Sequence, residues 1–184
     1  MTMVHAILKQ MPGLGQPQRQ FLATLFMPIL VLRGRVNFRN LRRYCDSSER
    51  TIARQFRGPF DGPDFQQRVL MTALDPRSAL VSAHDASCIP KSGKQTCGLG
   101  HFFNGCASRA ERGLEIPTLA VVDVTRRCVL TLAVAPTPPG EKTTQAEPED
   151  TRGDFYKQQR RAHRHRLPPG VHYHWVDGYD AKKK

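Results

Sequence analysis

Four strand-length apolar runs occupy the second half of the chain, and what lies between them restricts how they can be joined. They cover residues 79–83, 116–124, 128–135 and 171–176. Only Thr125, Arg126 and Arg127 separate the second run from the third, so those two are expected to form an antiparallel hairpin. Between the third and fourth lie a Pro/Glu/Thr-rich connector, 136–151, and a basic segment, 154–166. That segment reads as a helix stopped by Pro168-Pro169-Gly170. Residues 91–114, rich in Gly, Lys and Ser, read as a long loop. The order strand, hairpin, helix, strand makes this half α/β.

The first half is helical in pattern. Residues 17–32 read as a helix with Phe21, Leu25 and Ile29 on one face and Leu22, Phe26 and Leu30 beside them. Pro28 is expected to kink that helix or split it. A short basic helix at 37–44, a polar turn with a serine N-cap and a second basic helix at 49–56 follow. They form either a helix-turn-helix that offers Arg50 and Arg54 to DNA, or two ordinary helices packed on Phe38, Leu41, Ile52 and Phe56. Residues 63–74 read as another helix, with Pro63 in its first turn. The chain thus divides into a helical region, 1–76, and a sheet-bearing region, 77–184.

Charge narrows the partners. The 184 residues carry a net charge of +12, which points to a polyanion and above all to nucleic acid. The hydrophobic share of 39% is low, so the core is expected to be modest. No apolar run approaches the roughly 18 residues of a membrane span, and no signal core opens the chain. Five cysteines at scattered positions fit reduced thiols in a cytoplasm. Cys88, Cys97 and Cys106 lack the close pairing of a structural zinc site.

The first and last apolar runs share an ending. Asp85 and Asp177 each stand where a buried strand would run out into a lysine-bearing loop. Each acid alone suits a strand-end turn; together they can share a divalent metal. Lys91 and Lys94 flank Ser92-Gly93 and suit phosphate contacts, or a solvated loop. In the basic helix, Lys157, Arg160, Arg161 and Arg164 fall on one broad face that either tracks a DNA backbone or faces solvent. Glu115 is expected to pair with Arg112 at the surface.

The run Asp85-Ala-Ser-Cys-Ile-Pro-Lys-Ser-Gly-Lys94 resembles the first catalytic block of bacterial insertion-sequence transposases of the DDE type. Gly98-Leu-Gly-His-Phe-Phe-Asn-Gly105 and Gly113-Leu-Glu-Ile116 resemble the block that follows it. Asp154-Phe-Tyr156 and Val176-Asp-Gly-Tyr-Asp-Ala-Lys-Lys183 resemble the segment around the second catalytic aspartate. The resemblance implies a ribonuclease-H-like mixed sheet with a flanking helix, Asp85 on its first strand and Asp177 just past its fourth. It implies Mg2+ or Mn2+ as cofactor, DNA strand transfer as activity, double-stranded transposon ends as partner and a possible homo-oligomer of the full-length form. The family's third carboxylate, a glutamate beyond the second aspartate, has no counterpart before Lys184, and Asp180 stands where the family has an uncharged residue. The chain is therefore expected to be a truncated, inactive copy, with weak metal affinity and marginal stability. The alternative is a non-enzymatic DNA-binding remnant that occupies transposon ends or inhibits an intact transposase.

Overall fold

A computed structural model of the chain describes residues 3–93, 96–139 and 152–176. The fold separates into two compact units, Met1–Arg68 and Val69–Lys184. The division falls inside a helix, earlier than residue 77.

The first unit opens with helices α1 (Met3–Gln10) and α2 (Gln16–Val31). Pro17 sits at the start of α2, where its missing N–H costs nothing. Pro28 does not split α2, which continues as one helix to Val31. So close to the C-terminus, proline disturbs only the last turn, and the Leu32 N–H closes it on the Pro28 carbonyl. The expected apolar face holds only in part: Ala23 and Leu25 are buried, but Ile29 and Leu30 are exposed.

The basic helix pair forms as α3 (Phe38–Leu41), a 3-10 turn (Arg42–Tyr44) and α4 (Glu49–Gln55). Each helix has a side-chain cap. The Asn40 N–H donates to Asn37 Oδ1 at 2.8 Å, and the Thr51 N–H donates to Ser48 Oγ at 3.1 Å. Leu25, Leu41 and Ile52 form the small core, with Phe21, Leu32 and Cys45 against it. The Phe56 ring meets both Phe21 and Phe38 while staying half exposed.

Helix α5 (Gly62–Ala73) spans the division between the units. The second unit is then built on a five-stranded mixed sheet: β1 (Leu80–Pro90), β2 (Gly100–Asn104), β3 (Arg109–Asp123), β4 (Cys128–Val134) and β5 (Val171–Val176). Strand β3 is the hub. It pairs antiparallel with β1 along Gly113–Asp123, with β4 along Thr118–Asp123 and with β2 along Arg109–Gly113. Strand β5 pairs parallel with β1, after a return through α6 (Arg152–His163) and a 3-10 turn (Arg164–Arg166).

Two expectations need correction. Residues 91–114 are not one long loop: they contain β2 and the first part of β3. Alternation was hidden there by Gly, Arg and Asn, which pattern poorly as strand. Strand β1 is also longer than 79–83, because β3 supplies a backbone partner out to Pro90.

The core of this unit joins Leu70, Leu80, Leu119, Val121, Leu132 and Ala133, with Leu74, Leu130, Leu167 and Val171 against it. Odd-numbered residues from Gly113 to Asp123 are buried, the period-two signature of a strand with one covered face. Gly113 faces Pro90 across the β1–β3 ladder, and an added Cβ there would run into the Ile89 carbonyl oxygen. Gly113→Ala is therefore expected to lower unfolding stability by about 1–3 kcal/mol in urea titration, because the obstacle is backbone rather than a mobile side chain.

Candidate functional site

Strand β1 presents two chemically different faces. Leu80, Ser82 and His84 are buried on one, and Asp85 is exposed on the other. The covered face is polar at its centre. The Gln159 side-chain nitrogen donates to the Pro117 carbonyl at 3.4 Å, which leaves its Oε1 to accept from His84 Nε2 at 2.8 Å. With its proton on Nε2, His84 accepts at Nδ1 from the Arg160 guanidinium, 3.2 Å away. The Tyr156 ring stands edge-on to His84, centroids 5.5 Å apart. Ser82 hydrogen-bonds His174 Nδ1 on β5. These contacts tie three elements, β1, β5 and α6, to one another.

The parallel β1–β5 ladder runs to His84↔Val176. Asp85 and Asp177 are the next residues of their respective segments. Asp85 lies opposite Thr118 on β3, and its Oδ1 accepts from the Ala86 N–H at 2.8 Å. It stands inside β1 rather than at its end, since β3 carries the strand on to Pro90. Asp177 and Lys94 lie outside the described residues. Lys91 is exposed just past β1, its N–H bonded to the Arg112 carbonyl at 3.2 Å.

The basic side chains divide. In the first unit, Arg50 and Arg54 are exposed on α4 while Ile52 between them is buried. In the second unit Lys157 and Arg161 are exposed, but Arg160 is partly buried against His84. Arg164 is exposed in the 3-10 turn after α6. The expected single basic face is therefore broken by Arg160, which turns toward the sheet.

Glu115 departs furthest from expectation. It is 4% exposed and pairs with Arg152 at 3.4 Å, not with Arg112 at the surface. Arg112 instead donates to the Ser92 and Gly93 carbonyls at 3.1 and 3.3 Å. Arg152 also lies over the Phe102 ring, 5.2 Å from its centroid. Burial first, then the Glu115 carboxylate beside it, pushes the Tyr156 hydroxyl well above its ordinary range. Burial, then Glu115, also raises the Cys88 thiol, the reverse of what a reactive thiolate needs. The alternation Glu115, Pro117, Leu119, Val121 held the signal that Glu115 points inward.

Among the described residues, no three His, Cys, Asp or Glu side chains gather as metal ligands. Asp85 nevertheless offers an exposed hard oxygen ligand of the kind magnesium takes singly or in pairs while keeping its waters. No helix of the described residues is long and apolar enough to cross a membrane. The chain matches no family model and no curated protein.

Two outcomes test the buried cluster. Arg152→Met leaves Glu115 buried without its counter-ion, and is expected to cost on the order of 3 kcal/mol in urea unfolding, with Glu115→Gln in the same chain restoring part of the loss. Tyr156 is held protonated by the fold, whereas the unfolded chain releases that proton near pH 10 or so. The stability it contributes is complete below that pH and falls as pH rises above it. The melting temperature of Tyr156→Phe is expected to decline less steeply than that of the parent over this alkaline range.

Proposed function

We propose that this chain carries the DNA-facing core of a DDE-type transposase, with a ribonuclease-H-like sheet that brings Asp85 and Asp177 to one phosphodiester. The observation that carries this reading is the parallel β1–β5 ladder, whose last pair, His84↔Val176, immediately precedes both aspartates in sequence. Three features support the fold assignment: an antiparallel β1–β3–β4 meander, a helix after it, and a return strand parallel to β1. The ordered sequence blocks from Asp85 to Lys183 support the family.

The chemistry follows from the residue types. A phosphodiester is shielded by its own negative charge, so anionic side chains can act on it only through a cation. Asp85 and Asp177 would hold magnesium or manganese, which supplies activation of the attacking oxygen and stabilisation of the leaving oxygen. Lys91, exposed beside this end of β1, and Lys94 would hold flanking phosphates by charge. The polar layer under β1 would fix the strand that positions Asp85, without touching substrate.

A second reading has its own observation. Arg39, Arg42, Arg43, Arg50, Arg54 and Arg57 are all exposed on or beside the capped pair α3 and α4. The first unit would then serve as a DNA-binding module independent of any strand transfer, with Arg50 and Arg54 reaching the duplex.

Fluorescence anisotropy with duplex DNA is expected to show binding that weakens steeply with salt, and Arg50→Ala with Arg54→Ala is expected to lower the salt slope by about 1–2. Flat titrations at low salt would remove both readings. Mn2+ binding followed by electron paramagnetic resonance is expected to weaken at least tenfold in Asp85→Asn and in Asp177→Asn; unchanged binding in both removes the strand-transfer reading and leaves the binding module.

A further inference from the structure

The face of the sheet opposite α6 carries a patch that the acid pair does not account for. Trp175 is 75% exposed and Tyr173 73%. They alternate with His174, which hydrogen-bonds Ser82 on the covered side, so both rings stand on the opposite face. Through the ladder Val81↔Tyr173 and Ala83↔Trp175, that face is the one that carries Asp85. Val129 and Val134 of β4 are exposed on it as well. Exposed aromatics and valines on one sheet face cost solvation free energy, and a patch of this kind marks an interaction surface.

We propose that Trp175 and Tyr173 form a stacking platform for two consecutive unpaired bases of a nucleic acid strand that passes Asp85. Same-face residues on a strand are about 6.6 Å apart, close to the separation of neighbouring bases in an extended single strand. Bases within a duplex are already stacked on one another, so two flat rings on an open sheet suit unpaired ones. The surroundings fit a polyanion. Asp85 is the one acid that the described strands place on this face, whereas Glu111, Glu115 and Asp123 follow the other parity. Arg127, exposed in the β3–β4 turn, lies at one end of the sheet, and Lys91, exposed after β1, at the other. Thr118 and Thr131 add hydroxyls between the apolar rows. The proposal rests on the strand-transfer reading only in placing the bound strand beside Asp85; the stacking itself does not depend on it.

Trp175 is the one tryptophan of the chain, so its emission reports the platform directly. The experiment titrates the full chain with an oligothymidylate and with an abasic oligonucleotide of the same length, reading tryptophan emission and the anisotropy of a labelled strand. Saturable quenching by oligothymidylate is expected, with little by the abasic strand. Tyr173→Leu is expected to weaken oligothymidylate binding at least threefold with Trp175 still reporting. Trp175→Phe keeps a ring and is expected to retain most of the binding that Trp175→Leu loses, with circular dichroism confirming that each variant is folded. Anisotropy binding with unchanged emission and no effect of either leucine variant overturns the proposal. So does emission that changes with protein concentration alone, which assigns the face to a second copy of the chain. Duplex binding without any oligothymidylate binding overturns the platform and leaves the strand-transfer reading standing; quenching without duplex or Mn2+ binding does the reverse.

Discussion

The pairing of β5 alongside β1 is the constraint on which the second unit depends. Strands β1, β3 and β4 are close in sequence and need only short turns to meet, but β5 arrives from beyond α6 and must be held parallel to β1. Parallel edges gain no hairpin, so the return needs anchors on side chains. Ser82 to His174 links the two strands directly, and His84 to Gln159 and Arg160 links β1 to the helix that delivers β5. Leu167 and Val171, packed on the main core, fix the segment between them.

Those anchors are polar in a place where an apolar layer would pack more simply. A buried imidazole is tolerated here because both ring nitrogens have partners of opposite type, Gln159 as acceptor and Arg160 as donor. Gln159 presents its oxygen to His84 because its amide nitrogen donates to the Pro117 carbonyl, whose second lone pair takes the Ala135 N–H. Glu115, two residues earlier on the same face, is met in the same way by Arg152 from the first turn of α6. The helix is thus registered against β3 at two polar points. Directional bonds specify one docking of α6, whereas leucines alone would permit sliding.

Much of this was legible in the sequence. The helix pair α3 and α4 followed from the serine cap in the polar turn and the apolar Leu41 and Ile52, and the β3–β4 hairpin from the short turn at 125–127; the Asn37 cap of α3 emerged only in the structure. What hid were features in which local chemistry opposed tertiary position. Strand β2 and the start of β3 read as loop because of His101, Asn104, Arg109 and Arg112, polar residues that serve a ladder extending past the core. Glu115 read as a surface acid because its partner, Arg152, is distant in sequence and nothing local marks the pair. Arg160 read as one more cation on a basic face because its acceptor is a histidine on another element. Asp85 was legible as a candidate from its neighbours, but its place inside β1 depended on the length of β3.

That place has a physical consequence. Up to His84, β1 has a strand on each side, parallel β5 on one and antiparallel β3 on the other. From Asp85 onward, among the described residues, only β3 remains. At the carboxyl end of the described parallel ladder, just past His84↔Val176, the Asp85 carboxylate itself takes the Ala86 N–H. In open α/β sheets such carboxyl ends are where ligands enter, because backbone and side chains there are positioned by the sheet yet not consumed by it. One oxygen of Asp85 is engaged in this way, which holds the carboxylate against the strand and fixes the direction of the other. A single alternation then divides the labour of the strand: even residues fasten β5 and α6 from below, and Asp85 stands on the open face that also carries Trp175 and Tyr173, whose partners across the ladder are Ala83 and Val81.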